Sequence, residues 1–164
     1  MLQEHSQIAL MLEKANQHFK IADHIAYVTY PLVKDQKLAV SILENLNQSA
    51  LSAIDALMHY ERLYKRIGLF PDNFEIKMQL FKTKIAPQYN IDRSHIVLLE
   101  ELRQLALERK ESKIEFLRKD RYVFCNNDYS KIKELTIEKL KTYINQLKPF
   151  MRKLNLILQN VRRQ

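Results

Sequence analysis

Between Gln36 and Gly68, the residues Ala39, Leu43, Leu46, Ala50, Ala53, Leu57, Tyr60, Tyr64 and Ile67 follow one another at alternating steps of four and three. That spacing puts them all on one stripe of an α-helix, and no step is missed. Leu38, Ile42, Leu51, Ile54 and Met58 broaden the stripe on both sides into a face wider than a two-stranded coiled coil requires. A helix of this kind needs more than one neighbour to cover it, so a helical bundle built around residues 36–68 is expected.

The same rhythm appears at both ends of the chain. Ile8, Leu12, Ala15, Phe19, Ala22, Ala26 and Thr29 predict a first helix from about Leu2 to Tyr30, stopped by Pro31 because the residue before proline disfavours helical geometry. The short connection from Pro31 to Gln36 predicts an antiparallel hairpin in which paired positions sum to about 68, with Ala15 opposite Ala53 and His18 opposite Ala50. Ile137, Leu140, Ile144, Leu147, Met151, Leu154, Leu158 and Val161 predict one long helix from about Asp128 to the end, kinked just before Pro149.

The middle of the chain reads as shorter helices. Gly68 suits the cap of the second long helix, and Asp72 with Glu75 has capping-box spacing ahead of the stripe Phe74, Met78, Phe81 and Ile85. Alternation of Phe74, Ile76, Met78 and Leu80 fits a strand equally, but no partner strand of similar length lies nearby, so residues 73–85 are expected to be helical. Asp92 caps a further helix through Ile96, Leu98, Leu99, Leu102, Leu105 and Ala106 to about Lys110. Ser112 and Glu115 predict a brief helix holding Ile114, Phe116 and Leu117, and Tyr122 to Cys125 reads as an extended apolar tetrad. A single glycine and four prolines leave few residues suited to tight hairpin turns. The expected fold class is therefore all-α: one domain over residues 1–164, an antiparallel helical bundle with three long helices and shorter middle ones.

Several function classes find no support in the residues. Cys125 has no second cysteine to pair with, no secretory leader opens the chain, and the longest uncharged apolar run, Ile25 to Val33, is nine residues and includes Pro31. A cytoplasmic protein without a membrane span is expected. Glycine-rich phosphate loops, Gly-x-Ser-x-Gly and zinc-knuckle spacings are absent, so no cofactor is expected. The Glu-x-x-His pairs of di-metal bundles are absent too, leaving only Asp55 with His59, or Asp23 and His24 beside Glu44 and Asn45, as minimal metal candidates. A Cys125–His95 nucleophilic pair is disfavoured by the apolar setting of the thiol. In architecture alone, a basic helical bundle resembles the HEPN ribonucleases. Their Arg followed four to six residues later by His is absent, since Arg93 and His95 stand too close, and the resemblance lends no site residues.

Charge supplies the functional expectation. Residues 1–108 hold 12 basic and 13 acidic side chains, whereas residues 109–164 hold 15 and 6, so the last third carries a net +9. A localised positive field attracts nucleic acid, an anionic membrane or an acidic protein. On the last helix Lys141, Asn145, Lys148, Arg152, Asn155, Gln159 and Arg162 form a stripe opposite the apolar seam, free of acids. Cations that reach phosphates and amides that read base edges are what a nucleic-acid-facing helix carries. A second basic group, Arg109, Lys110, Lys113, Arg118, Lys119 and Arg121, precedes Tyr122 and Phe124, which are expected to anchor the chain to the core rather than to stack on bases. The expected function is a non-enzymatic binding module for nucleic acid or an acidic protein, with a helical-bundle enzyme as the alternative. Tyr27, Tyr30, Tyr60 and Tyr64 add aromatic surface near helix ends that would also suit a homodimer.

Overall fold

The computed structural model describes residues 1–163. Helix α1 (Leu2–His24) passes through a π-helical segment (Ile25–Thr29) into the short α2 (Tyr30–Val33), and α3 spans Leu38–Leu63. After α4 (Phe74–Leu80), a second π segment (Phe81–Ile85) and α5 (Arg93–Glu111) come three strands, β1 (Ile114–Arg118), β2 (Arg121–Cys125) and β3 (Ile132–Leu135). Helices α6 (Ile137–Ile157) and α7 (Gln159–Arg162) end the chain.

Helix α3 is the hub. It packs most extensively on α1 and also touches α5 and α6. Its stripe is buried from Ala39 through Leu43, Leu46, Ala50, Ala53 and Leu57 to Tyr60, and the seam of α6 is buried throughout, from Ile137 to Leu154 and on through Leu158 and Val161. Tyr64 and Ile67 lie beyond the end of α3, which closes at Lys65 in the left-handed region (φ 57°) rather than at Gly68. Helices α1 and α3 do run antiparallel, but Ser49 Oγ donates to the Ala15 carbonyl at 2.7 Å and His18 Nδ1 lies 2.9 Å from Asn45 Oδ1. The pairing is thus shifted by about a turn from the expected Ala15–Ala53 and His18–Ala50 levels.

Pro31 does not stop the first helix. In a regular helix its ring would press on the carbonyl four residues back. Here the Tyr30 N–H reaches the Ile25 carbonyl, a turn one residue wider than that of an α-helix, and helical geometry continues through Pro31 to Val33 before Lys34 turns left-handed (φ 55°). The second π segment ends the helix at Ile85, before Pro87, with the Ala86 N–H donating to the Phe81 carbonyl at 2.8 Å. Residues 74–85 are helical as expected, although the capping side chain is Asn73, which accepts from the Ile76 N–H, and not Asp72. Pro149 lies inside α6, whose assigned span is unbroken there.

The all-α expectation fails between Ile114 and Leu135, where the three strands form an antiparallel sheet in the order β1-β2-β3. Ile114, Phe116 and Leu117 are strand residues, not a brief helix, and the last helix is not one piece: α6 begins at Ile137 rather than near Asp128 and breaks at Leu158 (φ −96°, ψ 12°) before the short α7. The hairpin turn between Arg118 and Arg121 needs no glycine because Lys119 itself takes φ 53°. The second connection is held by its own side chains. Asn126 Oδ1 accepts from the Lys131 N–H, Asp128 Oδ1 accepts from the Ser130 N–H, and Tyr129 takes φ 59°. Thr136 then caps α6 by accepting from the Lys139 N–H. Tyr122, Phe124 and Leu135 turn into the main core, which anchors the sheet to the helices as the apolar tetrad suggests.

Candidate nucleic-acid interface

The amphipathic spacing of α6 fixes its orientation: with Leu140, Ile144, Leu147, Met151 and Leu154 buried, the polar stripe falls along one edge of the helix. That edge does not face solvent alone, because it runs antiparallel beside α1. Asn16 and Asn155 donate to each other's carbonyl oxygens at 2.9 Å, and Asn155 also donates to the Met151 carbonyl, so this amide ties two helices together. Farther along, Asn145 donates to the Tyr27 hydroxyl at 3.2 Å. Lys141 and Lys148 lie 5.1 and 5.9 Å from the centre of the Tyr27 ring. Tyr27 is 42% exposed, so the lysines flank a ring that remains open to solvent.

Acids absent from the stripe come from beside it. Glu138 lies 3.6 Å from Lys141, and Asp23 of α1 lies 3.8 Å from Lys148. Both separations are too long for hydrogen bonds. By contrast, Arg109 meets Glu44 at 2.6 Å, Arg121 meets Glu134 at 2.7 Å and Lys77 meets Asp55 at 2.7 Å. Arg152, Gln159 and Arg162 are exposed, and neither arginine forms an ion pair among the described residues. At the far end Arg162 rims a cavity of about 340 Å³ with His5, Ser6 and Glu13. The edge of α6 thus presents Lys141, Lys148 and Arg152 with the amide of Asn145, α7 adds Arg162, and Asn155 is engaged inside the fold.

The second basic group is dispersed by the sheet. Arg109 is drawn to Glu44 and Glu115, whereas Lys110, Lys113, Arg118 and Lys119 are exposed. The buried Tyr122 donates its hydroxyl to Glu115 at 2.5 Å, and burial followed by that bond pushes the phenol up to about 12. On the strands themselves the exposed aromatic is Phe116, whose period-two signal is blurred in sequence by the adjacent Leu117, while Tyr129 is exposed in the connection between β2 and β3.

The minimal metal candidates are not assembled. Asp55 bonds Lys77, while His59 packs against Phe70 at 5.2 Å and is held below its usual value chiefly by burial. Glu44 is taken by Arg109 and Asn45 by His18. No group of three or more His, Cys, Asp or Glu side chains suited to a metal occurs among the described residues. Cys125 is buried in β2, while His95 on α5 rests against Phe150. No helix among the described residues is long and apolar enough to cross a membrane. Comparison with protein-family models, curated proteins and solved structures finds no match to this chain.

Proposed function

We propose that the protein is a helical-bundle binding module that grips nucleic acid through the basic edge of α6 and its continuation on α7. The observation that carries this reading is the looseness of the ion pairs there: Lys141 and Lys148 stand 3.6 and 3.8 Å from their nearest carboxylates, and Arg152 pairs with none among the described residues. Exposed pairs of this kind contribute only about 0.2–1 kcal/mol, so a phosphate displaces such a carboxylate at little cost. The cations bind phosphates of any sequence, and Asn145 and Gln159 stand between them with donors and acceptors for sugar or base edges.

The test replaces Lys141, Lys148, Arg152 and Arg162 together by Gln. Thermal unfolding should change little, because Arg152 and Arg162 are exposed and the ion pairs of the half-buried Lys141 and Lys148 are loose. Fluorescence anisotropy at low ionic strength should show binding weakened for every oligonucleotide sequence tried. Equal affinity of wild type and variant would refute the assignment of this edge. Wild-type binding to a polyaspartate chain but to no oligonucleotide would replace nucleic acid by an acidic protein partner.

A further inference from the structure

The sheet places side chains together that no single stretch of sequence brings into register. Successive strand residues alternate between faces. Tyr122, Phe124 and Leu135 occupy the core side. The register therefore puts Phe116 beside Val123 and Glu134 on the outer side, Ile114 beside Cys125 and Ile132, and Arg118 beside Arg121. Val123 and Cys125 are buried yet stand outside the main core, so they form the floor of this outer face. Phe116 on one edge strand is 44% exposed and Ile132 on the other is 55% exposed, so they form its two rims.

The arginine pair is the unusual element. Like charges directly across an antiparallel pair destabilise a hairpin. Arg121 is compensated by Glu134 at 2.7 Å and by Asp120 at 3.8 Å. Arg118 has no ion-pair partner among the described residues, and neither has Lys119 at the turn. Together with Asp120 and Arg121 they line a cleft of about 210 Å³. With Arg121 offset by its two acids, the open charges at the cleft are those of Arg118 and Lys119, which an anion would pair, and the exposed ring of Phe116 lies next along the same face.

We propose that the outer face of the sheet takes an unpaired base of single-stranded nucleic acid, stacked on Phe116, with the neighbouring phosphates on Arg118 and Lys119. This rests on the nucleic-acid reading above and narrows its substrate class. A duplex keeps its bases stacked on one another and offers only their edges, whereas a single strand offers the π-face that an exposed phenyl ring can cover.

The chain contains no tryptophan, so Phe116→Trp supplies a lone indole at the proposed contact. Its fluorescence should be quenched by oligouridine or oligothymidine of about 15 nucleotides and not by a duplex of equal length; the two single strands separate RNA from DNA preference. In parallel, Phe116→Leu, which keeps an apolar strand residue, should weaken oligouridine binding by about 5- to 100-fold while leaving duplex binding unchanged, the range expected for one lost stacking contact. Circular dichroism checks that both variants keep the wild-type fold. If wild type binds oligouridine but the indole is not quenched and Phe116→Leu binds equally well, the stacking platform is overturned while the α6 reading stands. If wild type binds neither single strand nor duplex at low salt, the nucleic-acid reading itself fails.

Discussion

The carboxylate of Glu61 lies in the last turn of α3 with its side chain 1% exposed. Arg66, just beyond the helix, donates to both of its oxygens at 2.7 and 2.9 Å, and the Tyr89 hydroxyl donates to it from the turn before α5. One buried charge thus fastens three segments. The guanidinium also lies 5.5 and 4.9 Å from the Tyr60 and Tyr64 ring centres and remains 37% exposed. This asymmetry predicts unequal costs. Arg66→Ala leaves an uncompensated carboxylate in the interior, and breaking a buried pair in that sense costs about 3–5 kcal/mol. Glu61→Ala leaves the charge on a side chain that already reaches water, so the loss is about 1–3 kcal/mol, the scale of hydrogen bonds to a charged group. The double variant leaves no buried charge and should cost less than the two single losses added. Urea unfolding followed by circular dichroism measures all three. A loss in Glu61→Ala equal to or larger than that in Arg66→Ala would refute the argument that the burial of the carboxylate sets the cost.

Two further predictions follow from burial. Leu147 and Leu154 on α6 are fully buried, and Leu→Ala at either should cost about 2–5 kcal/mol, against under about 0.5 for a surface site, measured by denaturant midpoint. Burial also lowers His59 and His95 below their ordinary value of 6.5, so the unfolded chain takes up these protons before the folded chain does. Their contribution to stability is complete above about pH 6.5 and is lost as pH falls through the folded values. The unfolding midpoint should therefore decline from about pH 7 to about pH 5, and a variant carrying Gln at both positions should decline less over that range.

The helices were legible because their burial pattern is local. The steps of three and four in α3 and α6 need no knowledge of what lies opposite, and residues from Ala39 to Tyr60 and from Ile137 to Val161 are buried accordingly. The sheet was not legible because its turns are built on residues that do not advertise a turn. Lys119 and Tyr129 accept positive φ where glycine is usual, and all five positive-φ positions among the described residues are non-glycine, so the scarcity of glycine misled. The π segment before Pro31 likewise lets helical geometry pass a proline that read as a stop, whereas the helix before Pro87 ends at Ile85 as its sequence implies. The spacing of the basic stripe could be read from α6, but its engagement by Asn16, Asp23 and Tyr27 could not. Those contacts join residues more than a hundred positions apart, and nothing in either helix specifies which edge meets the other.

The salt dependence of binding tests most directly whether phosphates are held by the cations of α6 and α7. Each phosphate contact releases counterions, giving a slope of log affinity against log salt of about −0.7 per contact for a single strand. With oligouridine, replacing Lys141, Lys148, Arg152 and Arg162 by Gln should flatten the wild-type slope by up to about 3, as four contacts are removed. A slope unchanged between wild type and variant, or a wild-type affinity indifferent to salt, would contradict the account.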